Sequence, residues 1–234
     1  MVYQWLKSVQ TCLLCSDPSP EQPICPPCEL ELPWLGAHCR ICALPLPVSG
    51  QHCGHCLRHP PSFSRVEAPW RFAFPVDSLI HRFKHRADWP CGRILAGQLQ
   101  QHLEHAYSEG LERPDLLLPV PLSASRLQAR GFNQAEMLGH WLSRPLGIPC
   151  PAHLLQRPRE TPAQQQLGAR ARWRNLQSAF ALLRPDALQH QHVALVDDVM
   201  TTGATAESLA RLLIHAGARR VDLYCLARTP KPGD

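Results

Sequence analysis

The sequence predicts an α/β domain, with a mostly parallel sheet and flanking helices, preceded by a small cysteine-rich module. Eight of the 11 cysteines lie before residue 57, in four C-x-x-C pairs. Beyond residue 62, short apolar runs typical of buried strands alternate with segments of helical periodicity, which is the pattern of a parallel sheet. With 234 residues, 44% of them hydrophobic, the chain is long enough for one packed domain and a smaller unit. We expect the module to cover residues 1–61 and the α/β domain to cover residues 62–234.

The cysteine pairs have the spacing of metal-binding knuckles. Two residues separate the cysteines of each pair, and nine, ten and ten residues separate successive pairs. Two such knuckles can hold one Zn²⁺ between four thiolates, so four knuckles predict a double zinc ribbon with two structural sites. Pairing in sequence order gives Cys12, Cys15, Cys25 and Cys28 for one ion and Cys39, Cys42, Cys53 and Cys56 for the other.

Other uses of these cysteines fit less well. A disulfide framework requires an oxidising compartment, and the first residues, Met1 to Lys7, contain neither the basic region nor the cleavage site of an export signal. Iron–sulfur ligation suits the spacing less but stays open, as does a crossed pairing of the first knuckle with the last. Without an export signal or an apolar run of about eighteen residues, we expect a cytoplasmic protein with no membrane span.

The elements of the α/β domain follow from periodicity and punctuation. Trp70, Phe72 and Phe74 alternate as in a strand, and Gly217 closes a helix. An arginine-rich loop is expected between residues 120 and 133. The predicted strands cover residues 62–75, 115–120, 193–196 and 221–226, and the predicted helices cover residues 76–86, 93–109, 133–142 and 204–216.

The segment from Val193 to Thr205 carries the clearest functional signal. A buried strand ends in Asp197 and Asp198, and small and hydroxylic residues then open a helix. The unpaired amides and the dipole of a helix N-terminus favour an anion, and ligands of parallel sheets bind beyond the carboxyl ends of the strands. Two carboxylates would repel a phosphate, so we assign them to sugar hydroxyls or to Mg²⁺ carried with the substrate. The candidate phosphate-binding residues are Thr201, Thr202, Gly203, Ala204 and Thr205.

Two simpler explanations account for less of this segment. A Walker B aspartate requires a P-loop, and the chain contains no G-x-x-x-x-G-K-[ST] sequence. Helix capping alone requires one polar residue, not the pattern Asp-Asp-x-x-Thr-Thr-Gly-x-Thr after a buried strand.

This segment resembles the PRPP-binding motif of type I phosphoribosyltransferases. Together with the four knuckles, nearly the whole chain resembles the ComF family, competence-associated proteins with a zinc ribbon ahead of a phosphoribosyltransferase domain. The similarity includes Pro119-Val120-Pro121-Leu122, Arg130-Gly131-Phe132-Asn133-Gln134 and Phe83-Lys84. The resemblance implies a type I phosphoribosyltransferase-like fold, in which Asp197 and Asp198 bind the ribose hydroxyls and residues 201–205 cradle the 5-phosphate.

The resemblance also assigns the pyrophosphate side of the site. The turn of Pro121, Leu122 and Ser123 would face pyrophosphate, and residues 157–175 fall where such enzymes have a loop that closes over the ligand. Residues 126–175 include eight arginines and only two acidic residues. This positive charge suits a leaving pyrophosphate, but it is also typical of an ordinary solvated surface. The candidate cations are Arg126, Arg130, Arg157, Arg172 and Lys84. A surface helix explains Lys84 equally well.

Two functions fit these residues. In the first, the protein binds PRPP or another phosphorylated ribose with Mg²⁺, and either transfers the phosphoribosyl group with loss of pyrophosphate or turns nothing over; the acceptor has no recognisable signature. In the second, it is a non-catalytic protein that handles single-stranded DNA with the DNA-uptake machinery during transformation or recombination. We expect no glutaminase activity, because that chemistry needs an N-terminal cysteine and the chain begins Met1-Val2-Tyr3.

Overall fold

The protein is built around a parallel sheet with helices on both faces. The computed structural model describes residues 10–48, 51–151, 153–158 and 179–230. Within these ranges the helices are α1 Pro26–Leu30, α2 Gly54–Arg58, α3 Val76–Arg86, α4 Trp89–Ser108, α5 Ala124–Arg130, α6 Gln134–Leu146 and α7 Ala204–His215. The strands are β1 Arg65–Glu67, β2 Trp70–Arg71, β3 Leu116–Pro119, β4 Leu155–Gln156, β5 Ala181–Leu182, β6 His192–Met200 and β7 Arg220–Arg228.

The main sheet has the strand order β1–β7–β6–β3, and β2 pairs with β7 beyond the end of β1. All of these pairs are parallel, with Val193 opposite Val221 and Ala194 opposite Leu117. Parallel strands place their carboxyl ends at one edge of the sheet. The residues that follow Pro119, Met200 and Arg228 therefore meet at the same edge, where ligands of such sheets bind.

The two faces of the sheet are buried in separate hydrophobic cores. Val193 and Leu195 pack on the face covered by α7, whereas Ala194 and Val196 pack on the face covered by α3, α4 and α6. Successive strand residues point to opposite faces, so this apolar run serves both cores at once. The result confirms the predicted α/β class with a mostly parallel sheet and flanking helices.

The cysteine-rich segment wraps around the free edge of the sheet. The Arg71 N–H donates to the Pro33 carbonyl and the Leu35 N–H donates to the Pro69 carbonyl, each at 2.8 Å. Residues before this crossing, such as Cys12, join the core under α3 and α4. Residues after it, such as Cys39, join the core under α7.

Several predicted boundaries are wrong, each for a local reason. The strand predicted over 62–75 is two short strands separated at Pro69, which has no N–H for the ladder. The helix predicted from residue 93 begins at Trp89, because the Asp88 carboxylate accepts the Cys91 N–H at 3.1 Å. The strand predicted to end at 196 continues through the carboxylates to Met200.

The arginine-rich loop predicted after residue 120 is also wrong in part, because it contains helix α5. None of the seven residues of α5 is buried, so the helix has no apolar periodicity to reveal it. Within the described ranges, no helix combines the length and apolar character that a membrane crossing requires.

Candidate phosphate site and cysteine clusters

The loop between β6 and α7, residues 201–203, is open to solvent at the carboxyl edge of the sheet. Thr201 and Thr202 are exposed. Gly203 has φ of +79°, and a Cβ atom at this position would lie 2.7 Å from the Met200 Cε atom. Glycine adopts this positive φ without strain, whereas another residue would also have to displace the end of the Met200 side chain, so the turn that starts α7 favours glycine. We call residues 201–205 the phosphate loop, after the role predicted for them.

The two carboxylates before the loop are held differently. The Asp198 carboxylate is largely buried and lies 2.8 Å from the Lys84 Nζ atom. The Asp197 carboxylate accepts the Asp198 N–H at 2.8 Å. Burial, and then the neighbouring Asp198 charge, raise the pKa of Asp197 to about 7. The pair therefore combines one neutralised carboxylate with one that titrates near neutral pH.

Lys84 reaches Asp198 because the residue before it anchors α3. Phe83 is fully buried, and its ring lies 5.7 Å from the Phe132 ring, centroid to centroid. Phe132 lies in the corner between α5 and α6, and the Asn133 side chain that begins α6 donates to the Val120 carbonyl at 3.1 Å. This packing fixes α3 against the carboxyl edge of β3.

A basic cleft of about 480 Å³ lies between the end of α3 and helix α5. Partial burial, reinforced by repulsion from Arg126, lowers the pKa of Arg130, while the charges of Asp198 and Asp197 oppose this shift. Arg130 is therefore within electrostatic reach of the acid pair. Among the described residues, no carboxylate lines the cleft; the lining residues are Lys84, His85, Arg86, Ala87, Arg126, Ala129 and Arg130.

A second cavity, of about 390 Å³, lies on the other side of α5. Pro121, Leu122 and Arg157 line it, and the Arg157 guanidinium lies 5.3 Å from the centroid of the Phe180 ring. Burial, with a contribution from Arg126, lowers the Arg157 pKa. The cations predicted to share the pyrophosphate side are thus divided between two cavities.

The eight knuckle cysteines form two clusters, and their pairing follows sequence order. Within each cluster all four sulfurs lie within 4.8 Å of one another. The Cys15 and Cys25 sulfurs are 3.6 Å apart, and the Cys42 and Cys53 sulfurs are 3.7 Å apart. A tetrahedral Zn²⁺ with four thiolates at about 2.3 Å places its sulfurs about 3.8 Å apart. Both clusters fit such an ion. We call Cys12, Cys15, Cys25 and Cys28 the first cluster and Cys39, Cys42, Cys53 and Cys56 the second cluster.

Backbone N–H groups favour the thiolate form of one cysteine in each cluster. Although burial opposes ionisation, N–H groups around the sulfur lower the pKa of Cys12 to about 6 and that of Cys39 to about 7. Burial and the nearby Cys39 charge raise the pKa of Cys42 to about 11. Four thiolates can therefore coexist in either cluster only around a cation.

Comparison with known proteins identifies the family. No family model matches the chain. The DNA utilization protein YhgH of Shigella flexneri is 39% identical over 175 residues, which cover 74% of this chain and 76% of that protein. Competence protein F of Haemophilus influenzae is 34% identical over 208 residues, which cover 88% of this chain and 85% of that protein. The chain belongs to the ComF family.

The solved structures similar to this ComF chain include adenine phosphoribosyltransferase from Saccharomyces cerevisiae. It is 19% identical, with a TM-score of 0.37, and the match covers 60% of this chain and 69% of that one. A score this low carries no argument about the site. The chain has the type I phosphoribosyltransferase-like fold expected of a ComF protein. Its features are the parallel strand order, the flanking helices and the phosphate loop that connects β6 to α7.

The structure of this ComF chain brings together part of the predicted site. Asp197, Asp198 and Lys84 form one contact group directly before the phosphate loop, with Arg130 beside it. Arg126 lies one helical turn before Arg130 and is exposed. Ser123 is buried at the start of α5. Arg172, with most of the predicted closing loop, lies outside the described residues.

One residue at this edge of the sheet was not predicted from the sequence. Arg228 ends strand β7, and its side chain is buried beside the phosphate loop, where it donates to the Thr201 carbonyl at 2.6 Å. The available signal was a charge directly after the apolar run from Leu223 to Ala227. Its partners lie far away in sequence, so that signal alone named no role.

Proposed function

We propose that this ComF protein binds PRPP together with Mg²⁺ at the carboxyl edge of β6. The observation that carries the proposal is the contact group of Asp197, Asp198 and Lys84 immediately before an open loop that begins a helix. An acid pair that is half neutralised can accept sugar hydroxyls or a cation without repelling a phosphate a few residues away. The N-terminus of α7 supplies the amides and the dipole that favour that phosphate.

Each part of PRPP has a complementary element in the chain. The phosphate loop suits the 5-phosphate, Asp197 and Asp198 suit the ribose hydroxyls, and the turn from Pro121 to Ser123 suits pyrophosphate. Mg²⁺ bound with the substrate would screen the pyrophosphate charge. Lys84 and Arg130 both act electrostatically on Asp197, and their charge would favour a leaving group that gains negative charge.

Phosphoribosyl transfer is the second step of the proposal. The bond from C1 of the ribose to pyrophosphate would break as an acceptor attacks C1, and the chain would act by positioning and charge stabilisation. We assign no catalytic residue and no acceptor.

We further propose that each cysteine cluster holds one structural Zn²⁺. All four ligand positions are filled by sulfur, which leaves no open position for substrate. None of the eleven cysteines, all of which lie in the described ranges, forms a disulfide, as is usual in reducing compartments, and we propose a cytoplasmic location. The module of residues 1–61 would then be a metal-stabilised unit that precedes the ligand-binding domain.

Ligand-induced stabilisation tests the PRPP site. Addition of PRPP with Mg²⁺ should raise the Tm of the wild-type protein, because a ligand that binds only the folded state stabilises it. The double variant Asp197→Asn with Asp198→Asn should lose this response. Asp186→Asn, an exposed acid in a surface turn, is the matched control and should respond like the wild type. A double variant that responds fully would refute the pocket assignment.

A second candidate function is binding of single-stranded DNA, which the basic cleft favours. The part of its lining that the structure describes includes no acid, and Arg86 and Arg126 are exposed. Relatives of this chain carry the names DNA utilization protein and competence protein. Cationic grooves bind single strands with strong salt dependence.

Fluorescence anisotropy with an oligothymidylate at several salt concentrations tests this candidate. Changing Arg86, Arg126 and Arg130 together to Ala should weaken binding at every salt concentration and reduce the salt slope. A control with the exposed Arg40, Arg58 and Arg93 changed to Ala removes the same charge elsewhere. Equal losses in the two triple variants would show only a net-charge effect and would reject the cleft.

A further inference from the structure

Arg228 is a buried arginine whose donors reach two separate regions. It ends β7 opposite Met200 of β6 and is only 6% exposed. Its Nε donates to the Cys42 carbonyl of the second cluster at 2.8 Å. Its Nη1 donates to the carbonyls of Met200 at 3.1 Å and Thr201 at 2.6 Å. One guanidinium thus joins a metal knuckle to the first residues of the phosphate loop.

The charge of Arg228 is not balanced by a carboxylate within the part of the chain that the structure describes. Its partners there are four backbone carbonyls, the fourth being that of Thr229. Arg220, at the opposite end of the same strand, instead pairs with Asp222 at 2.9 Å and Glu112 at 3.2 Å. A buried charge without a counter-ion creates a positive potential at its surroundings. Here that potential favours an anion at the phosphate loop.

The hydrogen bonds of Arg228 also orient the loop amides. In a planar trans peptide, the C=O and the following N–H point in opposite directions. Because the Met200 and Thr201 carbonyls point toward Arg228, the N–H groups of Thr201 and Thr202 point away from it. Thr201 and Thr202 are exposed, so a phosphate at this loop would approach from solvent, on the side opposite the buried Arg228.

We propose that Arg228 is the positioning residue of the phosphate loop and that it couples the loop to the second cysteine cluster. This inference rests on the proposed function, because the ligand whose site is positioned is the 5-phosphate. Arg228 does not touch the phosphate itself. It holds two amides in place and adds a positive charge behind them, and its Nε bond to Cys42 makes this arrangement depend on an intact second cluster.

Calorimetry with ribose 5-phosphate and pyrophosphate as separate probes tests the proposal. Arg228→Met should weaken ribose 5-phosphate binding by about tenfold or more, because the loop amides lose their anchor and the positive charge behind them. Pyrophosphate binding should change less than about twofold, because the proposal puts that probe at the turn after β3. Arg228→Lys, which keeps the charge but loses the planar fork, should recover part of the loss. Arg220→Met is the matched control for removing a β7 arginine and should bind both probes like the wild type.

The outcomes separate this inference from the proposed function. A wild-type protein that binds neither probe would overturn the proposed function and the inference with it. A wild type that binds ribose 5-phosphate, with an Arg228→Met variant that binds it equally well, would overturn the inference alone. Equal losses for both probes would show a general structural role and would also overturn it. If Arg228→Met changes the circular dichroism spectrum or the metal content of the protein, the same comparison of the two probes is made with Arg228→Lys, and that result decides.

Discussion

The two cysteine clusters have the same motif and nearly the same spacing, yet they lie in different surroundings. In the first cluster Cys15 is exposed and Cys25 and Cys28 are half-buried, on the face of the sheet covered by α3 and α4. In the second cluster all four cysteines are at most 7% exposed, and they share a core with α7 and Met200. Arg228 contacts the second cluster and the phosphate loop together.

The same cysteine motif thus occupies two different environments, and we expect the loss of either cluster to have a different consequence. The first cluster packs through Cys12 into the core under α3 and α4, on the face of the sheet opposite α7. The second cluster contacts Arg228 through Cys42, and Ser62, in the segment that follows its last cysteine, donates its N–H and its hydroxyl to Glu207 of α7. Sequence spacing alone cannot distinguish the two roles.

The largest expected effect is a contrast between one cysteine variant in each cluster. Structural Zn²⁺ contributes on the order of 10 kcal/mol in zinc-finger peptides, comparable to the whole stability of a domain. Cys53→Ser should therefore abolish cooperative unfolding of the domain and the PRPP response. Cys15→Ser should lose about one ion per chain but should keep both the cooperative unfolding and the PRPP response. Metal analysis with thermal unfolding measures this contrast, and a PRPP response retained in Cys53→Ser would break the comparison.

A smaller effect is expected at Lys84, the cation that the α3 face supplies to the site. Lys84→Met leaves the Asp198 carboxylate, 9% exposed, without its partner, which should lower the free energy of unfolding by about 2 kcal/mol. The control is Arg82→Met, since Arg82 pairs with Asp88 near the surface, where such pairs contribute about 1 kcal/mol or less. Denaturant titration of the two variants measures the difference. Equal losses would mean that burial of Asp198 is energetically unimportant.

The smallest expected effect is a pH dependence of ligand affinity. Burial and Asp198 raise the Asp197 pKa to about 7, so this carboxyl is protonated below that pH and ionised above it. Binding of Mg²⁺ with PRPP requires the ionised form, so affinity should rise about tenfold from pH 6 to pH 8 beyond the change due to PRPP itself. Asp197→Asn should keep only the change due to PRPP. Calorimetry at the two pH values measures both proteins, and parallel profiles would remove Asp197 from the cation site.

The sequence predicts those parts of the fold whose signal is local. The apolar run before Asp197, the glycine of the phosphate loop and the cysteine spacing each carry a physical requirement within a few residues. Helix α3 was predicted with its observed limits, Val76 and Arg86, because its buried positions recur at helical spacing.

The features that escaped prediction depend on contacts between distant residues or on missing periodicity. The Lys84–Asp198 pair joins helix α3 to strand β6, and Arg228 contacts Cys42, which is 186 residues away in the sequence. Neither contact leaves a pattern in either partner's neighbourhood. Helix α5 buries no residue, and β6 continues through two carboxylates because β7 pairs with it to Met200.

The phosphorus NMR spectrum of PRPP with Mg²⁺ tests the central claim most directly, because it resolves the 5-phosphate from the pyrophosphate. The account predicts that the wild-type protein shifts or broadens the 5-phosphate resonance. Gly203→Ala should reduce that change, since a residue forced to positive φ costs about 1–2 kcal/mol and its Cβ must displace the end of the Met200 side chain. Gly110→Ala, also at positive φ but with open space around it, should leave the change intact. A wild-type spectrum in which the 5-phosphate resonance does not respond would contradict the account.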